Sequence, residues 1–249
     1  MRRNILITGA SAGLGRGMAL EFAARGRNLA LCARRLDLLE SLKAEIAANY
    51  PRVRVAIRAL DVTDHADVFA GFRELDDELG GLDRIIVNAG MGKGASPGTG
   101  YFDANRATAE TNFIGALAQC EAALEIFRRG NEGHLVTIVS VAGIRGLPRA
   151  QCVYAATKAG LSSLTEGIRA DVWNTNIRVT GIYPGYIQSD IGGSGPRQRP
   201  FIVDTDKGVR AMVRAIEREP VRAYVPAWPW VPIVFLMRLL PLGLLVKAM

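Results

Sequence analysis

Short apolar runs alternate with longer amphipathic stretches along most of the chain. NILIT at 4–8, NLALCA at 28–33, VRVAIRAL at 53–60, LDRIIVN at 82–88, HLVTIVS at 134–140 and IRVTGIY at 177–183 are rich in Val, Ile and Leu. Such near-continuous hydrophobicity predicts strands buried on both faces. Residues 13–25, 36–48, 64–79, 105–128, 154–174 and 205–218 carry helical patterns, with Leu14, Met18 and Phe22 at spacing four in the first. VRAYV at 221–225 fits a last strand. This alternation predicts right-handed βαβ units and an α/β fold, a single doubly wound parallel sheet of Rossmann type with helices on both faces. No internal repeat or dividing linker appears, so one domain over 1–249 is expected. Ligands in such sheets sit at the carboxyl ends of the strands. The glycine-rich stretches 90–100 (GMGKGASPGTG) and 192–196 (GGSGP) follow strands on that side. Both are expected to border a substrate, with 186–204 as a lid; ordinary flexible connection is the plainer alternative.

Composition narrows the chemistry. About half of the 249 residues are apolar (49%), enough for a core without disulfides or metal. Cys32, Cys120 and Cys152 lie far apart and only two histidines accompany them, so no metal site is expected and a reducing cytoplasmic setting fits. Cys152 reads as a small buried filler. The start, MRRNILITGAS, lacks the long apolar run of a signal peptide. The formal charge of +7 suits a basic surface or attraction to anions. No basic block interleaved with aromatics appears, so nucleic acid is not an expected partner.

The motif TGASAGLG runs from Thr8 to Gly15 between the first strand and the first helix. It gives a tight turn at Gly9, close backbone approach at Gly13, and a helix amino end suited to a pyrophosphate. Its G-x-x-x-G-x-G spacing resembles the short-chain dehydrogenase/reductase family. The resemblance recurs in order at Asp61-Val62, Asn88-Ala89-Gly90, Asn112, Ser140, Tyr154 with Lys158, and Pro184-Gly185. It implies cofactor contacts from Gly9, Ser11, Gly13, Leu14 and Gly15, and from Asp61 and Val62 at the adenine. It also implies contacts from Asn88, Ala89 and Gly90, and from Pro184, Gly185, Ile187 and Ser189 near the nicotinamide. Ser189 stands where the family often has threonine, and it keeps the hydroxyl. LALCARR, VNAG and the Trp/Pro-rich tail together resemble actinobacterial members.

The second strand ends in Ala33-Arg34-Arg35, with no acid before Asp37. An acid there would bond a ribose 2′-OH, whereas a guanidinium can grip a 2′-phosphate. NADP(H) is therefore expected over NAD(H), with Arg34 as the leading contact and Arg35 and Ser11 assisting. Simple capping of a solvated helix start is the alternative.

Tyr154 and Lys158 are four residues apart on one helix face. An ammonium beside a phenol of pKa near ~10 favours the phenolate and brings proton transfer toward neutral pH. Isolated, this pair is a common accident; Ser140, fourteen residues earlier at a strand end, changes its meaning. The resemblance implies that Tyr154 exchanges a proton with a carbonyl or alcohol oxygen and that Ser140 bonds that oxygen. It further implies that Lys158 holds the nicotinamide ribose and that Asn112 organises a water in the relay. The expected activity is reversible hydride transfer between NADPH and a small-molecule carbonyl or secondary alcohol. Reduction of an apolar or lipid-like ketone or aldehyde is the favoured direction. A non-catalytic NADP(H) sensor or scaffold is the alternative. Substrate identity should lie in 91–103, 144–152 and 186–204, where Arg145 and Arg149 are the candidate charged contacts. The resemblance implies a homodimer or homotetramer built on the helices at 105–128 and 154–174.

The tail stands apart. Fifteen residues from Ala223 to Met237 carry no charge, and only Arg222, Arg238 and Lys247 follow Pro220. A spanning helix needs about 20 apolar residues, and Pro226, Pro229, Pro232 and Pro241 interrupt this stretch. Two readings remain for 227–249. It packs on the sheet, the cleft or a neighbouring subunit, or it forms a peripheral membrane contact.

Overall fold

A computed structural model describes residues 2–188 and 201–247. Seven parallel strands form one sheet: β1 (Asn4–Thr8), β2 (Asn28–Ala33), β3 (Val55–Ala59), β4 (Arg84–Val87), β5 (Glu132–Ile138), β6 (Asn176–Pro184) and β7 (Arg222–Val225). Their order is β3-β2-β1-β4-β5-β6-β7, so chain direction across the sheet reverses between β1 and β4. The doubly wound architecture read from the pattern is the one observed.

Alternate residues of each strand feed two apolar layers. Ile5, Ile7, Leu29, Leu31 and Ile86 meet Met18 and Phe22 of α1 (Gly13–Ala23), Leu39 of α2 (Leu36–Asn49) and Met212 of α7 (Thr205–Glu217). Leu6, Ala30, Ile85 and Leu135 face the other way. They meet Phe72 of α3 (His65–Leu79), Phe127 of α5 (Gly115–Gly130) and Leu161 of α6 (Gln151–Asp171). Two-sided burial explains why the strands read as unbroken apolar runs.

One expected element is broken. The stretch 105–128 divides into α4 (Phe102–Ala109), a π-helical segment Glu110–Ile114, and α5. Apolar spacing does not register one widened turn, and such turns gather at functional sites. The tail, for which no helix was expected, forms α8 (Ala227–Leu239) and α9 (Leu242–Lys247). Regular turns begin after Trp228, whose backbone is extended, so Pro229 falls where a missing N–H costs little. Among the described residues, no helix is long and apolar enough to cross a membrane.

The amino ends of the strands hold a buried ionic network. Arg84, 1% exposed, donates from Nε to His134 Nδ1 at 2.8 Å, from Nη1 to Glu217 at 2.8 Å and from Nη2 to Glu219 at 3.2 Å. Arg27 also reaches Glu217, and Arg2 reaches Glu219, at 2.9 and 3.0 Å. Because His134 Nδ1 accepts from Arg84, its Nε2 carries the proton and donates to Thr180 Oγ1 at 2.8 Å. Thr180 Oγ1 in turn donates to Pro220 O at 2.6 Å. Burial first, then the charges of Arg84 and Arg2, hold the imidazole well below its ordinary 6.5.

Two outcomes follow from this network. Arg84→Met leaves Glu217 with Arg27 and Glu219 with Arg2 as their remaining cations, and chemical denaturation should show a loss of about 1–3 kcal/mol. The unfolded chain protonates His134 below pH 6.5 while the folded chain resists. Stability should therefore fall as pH drops from 7 to 5.5, and a His134→Asn variant should show a shallower slope in thermal melts.

Candidate active site

The site begins where β1 and β4 end. Thr8 Oγ1 accepts from the backbone N–H groups of Asn88 and Ala89, both at 3.0 Å. Asn88 Nδ2 returns a bond to Thr8 O at 2.8 Å. This clasp backs the glycine turn. Gly9 and Gly13 have φ of +66° and +54°, conformations that favour glycine. A Cβ on Gly15 would lie 2.2 Å from Gly9 O, so only a bare backbone fits between α1 and the turn. Ala12 sits at the N-cap of α1 and gives no side-chain cap. The first-turn amides at Gly13, Leu14 and Gly15 thus suit an anion. An uncapped helix end behind a glycine cradle fits the pyrophosphate of a dinucleotide.

Basic side chains flank the turn. Arg35 Nη2 donates to Ser11 Oγ at 3.0 Å. Arg34 is mostly exposed and its Nη1 stands 3.8 Å from Asp61 Oδ2. Asp61 Oδ1 accepts from Thr63 N and Oγ1 at 3.0 and 2.8 Å. Burial raises this carboxyl, but the Thr63 bonds and Arg34 outweigh it and hold it below the usual carboxylate range. Val62 is buried, and its carbonyl leaves no room for a Cβ on Gly115 at the start of α5.

The second cluster lies beyond β4 and β5. Asn112, fully buried in the π-helical segment, accepts from Met91 N and donates to Met91 O, each at 2.8 Å. Its bonds reach a loop 21 residues back and, at 3.4 Å, Thr157 Oγ1 on α6. Lys158, on α6, is 5% exposed and donates to Ile138 O at 2.8 Å. Burial pushes its pKa down to about 8, which leaves most of it cationic at neutral pH. A Cβ on Gly90 would touch both Asn112 Oδ1 and Lys158 Nζ, at 3.1 and 3.6 Å, so these three residues meet. Tyr154 stands one turn before Lys158, whose Nζ is 6.0 Å from the phenol ring centroid. Ser140 caps the 3₁₀ turn Val141–Ile144, its Oγ accepting from Ala142 N at 3.1 Å. That turn is pressed on α6, since a Cβ on Gly143 would lie 2.7 Å from the Lys158 backbone.

A profile of the short chain dehydrogenases matches residues 3–199. The chain belongs to the short-chain dehydrogenase family. It is an oxidoreductase that interconverts alcohol and carbonyl. An "Uncharacterized oxidoreductase" of Mycobacterium tuberculosis is 54% identical over 240 residues, 96% of this chain and 94% of the relative. That similarity agrees with the actinobacterial resemblance. An "NADP-dependent 3-hydroxy acid dehydrogenase" of Schizosaccharomyces pombe is 32% identical over 193 residues, covering 76% of this chain and 73% of the relative. The crystal structure of levodione reductase superposes with a TM-score of 0.80 at 28% identity, over 89% of this chain and 94% of that one. Short-chain dehydrogenases bind a nicotinamide dinucleotide and a small-molecule substrate, and the cradle described above fits the first.

Other sequence-predicted positions fall around this short-chain dehydrogenase site. Pro184 ends β6, and Gly185 N donates to Val225 O at 2.9 Å. Ile187 is buried and pairs with Val203, joining the two ends of the expected lid. Ser189 and residues 190–200 of that lid lie outside the described residues. Cys152 is half-buried rather than buried.

Thr8 and Trp230 carried no advance assignment, and Arg145 was expected at the substrate. Thr8 closes the clasp, although the motif only marked it as the start of a turn. Arg145 Nη1 donates to Met237 O at 2.9 Å and to Leu240 O, tying the end of α8 to the loop after Ser140. Trp230 covers Gly185 and meets Tyr186 edge-on, with ring centroids 5.1 Å apart. A Cβ on Gly185 would lie 1.9 Å from Trp230 Nε1. Gly185→Ala should therefore push the indole away. A lower melting temperature, a loss of about 1–3 kcal/mol, and red-shifted tryptophan emission would report it.

Proposed function

We propose that this protein is an NADP-dependent reductase of an apolar ketone or aldehyde, working as one domain over 1–249 with Tyr154 as the proton donor. The observation that carries this reading is the meeting of Asn112, Lys158 and Gly90 beside Tyr154 and Ser140. A dinucleotide held by the glycine turn and Lys158 would supply the hydride that the carbonyl carbon takes up. Tyr154 gives its phenolic proton to the carbonyl oxygen, and in the oxidative direction it takes that proton back. Lys158 keeps a positive charge near the phenol, which favours the phenolate left behind. Its ammonium also has further N–H donors for the nicotinamide ribose. Ser140 Oγ already accepts from Ala142 N, so its O–H is left to donate to the substrate oxygen. Asn112 holds Met91 and the loop facing Lys158, and through them it positions the proton relay.

Cofactor choice rests on Arg34 and Arg35 at the end of β2. No acid is present there to bond a ribose 2′-OH, and Arg35 already reaches Ser11 beside the glycine turn. A 2′-phosphate would find two guanidinium groups. The relative from S. pombe, NADP-dependent by name, agrees with this preference. The half-buried Tyr186, held edge-on by Trp230 beside Gly185, favours an apolar substrate.

Two measurements test the reading. Tyr154→Phe should lower NADPH-dependent turnover by about 10²-fold or more, with NADPH affinity little changed; turnover at the wild-type rate would remove the assignment. Paired replacement Arg34→Ala with Arg35→Ala should weaken NADPH binding about 10–100-fold and leave NADH nearly unaffected. Equal loss for both cofactors would place the arginines elsewhere than at a 2′-phosphate.

A further inference from the structure

The tail helix α8 is apolar on two opposite faces. Its inner face is accounted for. Trp230 and Val234, four residues apart, are 4% and 3% exposed and pack on the core. Arg145 fastens the helix end from beneath. Its outer face is open. Trp228 is 79% exposed, Phe235 67%, Leu239 65% and Leu242 60%. Val231, Phe235 and Leu239, four apart, form a stripe along α8, and Leu242 and Val246, four apart, share a face of α9. A helix that is apolar all round is ordinarily buried all round, and a stripe of this kind marks a contact surface.

Charge selects what covers it. Arg238 and Lys247 border the stripe, and no acidic residue follows Glu219. A twofold contact between two copies would set this patch against itself, cation against cation. An anionic bilayer offers both an apolar interior and opposite charge. The length fits lying on a membrane rather than crossing it. α8 has 13 residues and α9 has 6, with Pro241 between them, against about 20 needed to span. Trp228 at one end and the two cations near the other match side chains that settle at the boundary between headgroups and hydrocarbon.

We propose that the outer face of α8 and α9 docks this protein on anionic lipid bilayers as a peripheral, non-spanning contact. The inner face of the same helix covers Gly185 and is tied to the loop after Ser140. Docking therefore brings the candidate active site to within about one helix diameter, ~10 Å, of the lipid surface. The docking rests on the tail alone and does not require the reading of Tyr154 or of NADP.

Flotation of the full chain tests it, with vesicles of equimolar phosphatidylglycerol and phosphatidylcholine against phosphatidylcholine alone. The protein should float with the anionic vesicles only, and less so as salt is raised. Phe235→Glu with Leu239→Glu should abolish flotation; both side chains are exposed, so melting temperature should hold. Arg238→Glu should lower recovery about tenfold or more through charge alone. Flotation with neither vesicle overturns the proposal, and equal flotation with both overturns its anionic selectivity. Sedimentation velocity supplies the remaining arm. A smaller assembly for the Phe235, Leu239 variant, with no flotation of the wild type, makes the stripe a subunit contact and also overturns it. No readout uses turnover, so failure here leaves the proposed reaction standing.

Discussion

The pairing of Thr8 with Asn88 is the constraint on which the site depends. It lies between β1 and β4, where the strand order reverses and two crossovers depart to opposite faces. Such a reversal opens a crevice at the carboxyl edge. Unsupported, the exposed strand ends there would leave backbone groups without partners. One hydroxyl satisfies two amides and one carboxamide satisfies a carbonyl, so the crevice keeps its width with no regular ladder across its mouth. Gly9 and Gly15 can then crowd against each other and against Ala89, and α1 can bring its amino end to the crevice.

Charge is withdrawn from water at both edges of the sheet, with different results. At the amino edge, Arg84 is fully matched by His134, Glu217 and Glu219. Such a network fixes positions strongly while adding less net stability than its bond count suggests. At the carboxyl edge, Lys158 donates to the neutral carbonyl of Ile138 and its pKa falls to about 8. A buried cation with no carboxylate bonded to it among the described residues is poised to answer charge that arrives with a ligand or develops in a reaction.

Much of this was legible in the sequence, for identifiable reasons. Strand runs and helix spacing reflect two-sided burial, which is a regular and therefore readable constraint. The glycine turn was legible because left-handed backbone and sub-van-der-Waals spacing admit few residues. Asn112 was nameable through family resemblance, but its π-helical setting was not. That turn depends on Met91 and Val62, which no local periodicity connects to it. Arg145 was singled out as a candidate substrate contact, yet its guanidinium is engaged with the carbonyls of Met237 and Leu240. A bond spanning 92 residues leaves no trace in spacing. The inner and outer faces of α8 were equally opaque, because both are apolar and only packing tells them apart.

The amino-edge network also has a consequence in time. Its arginines stand at 2, 27 and 84, while Glu217 and Glu219 come near the end of the chain. Arg84 and Glu217 are 133 residues apart. At synthesis rates of about 5–20 residues per second, roughly 7 to 27 seconds separate their emergence. During that interval β1, β2 and β4 carry buried-to-be cations without these two counterions, and no early half of the sheet can close on its final terms. The ionic contacts that Arg2, Arg27 and Arg84 make with Glu217 and Glu219 can therefore form only after α7 is made.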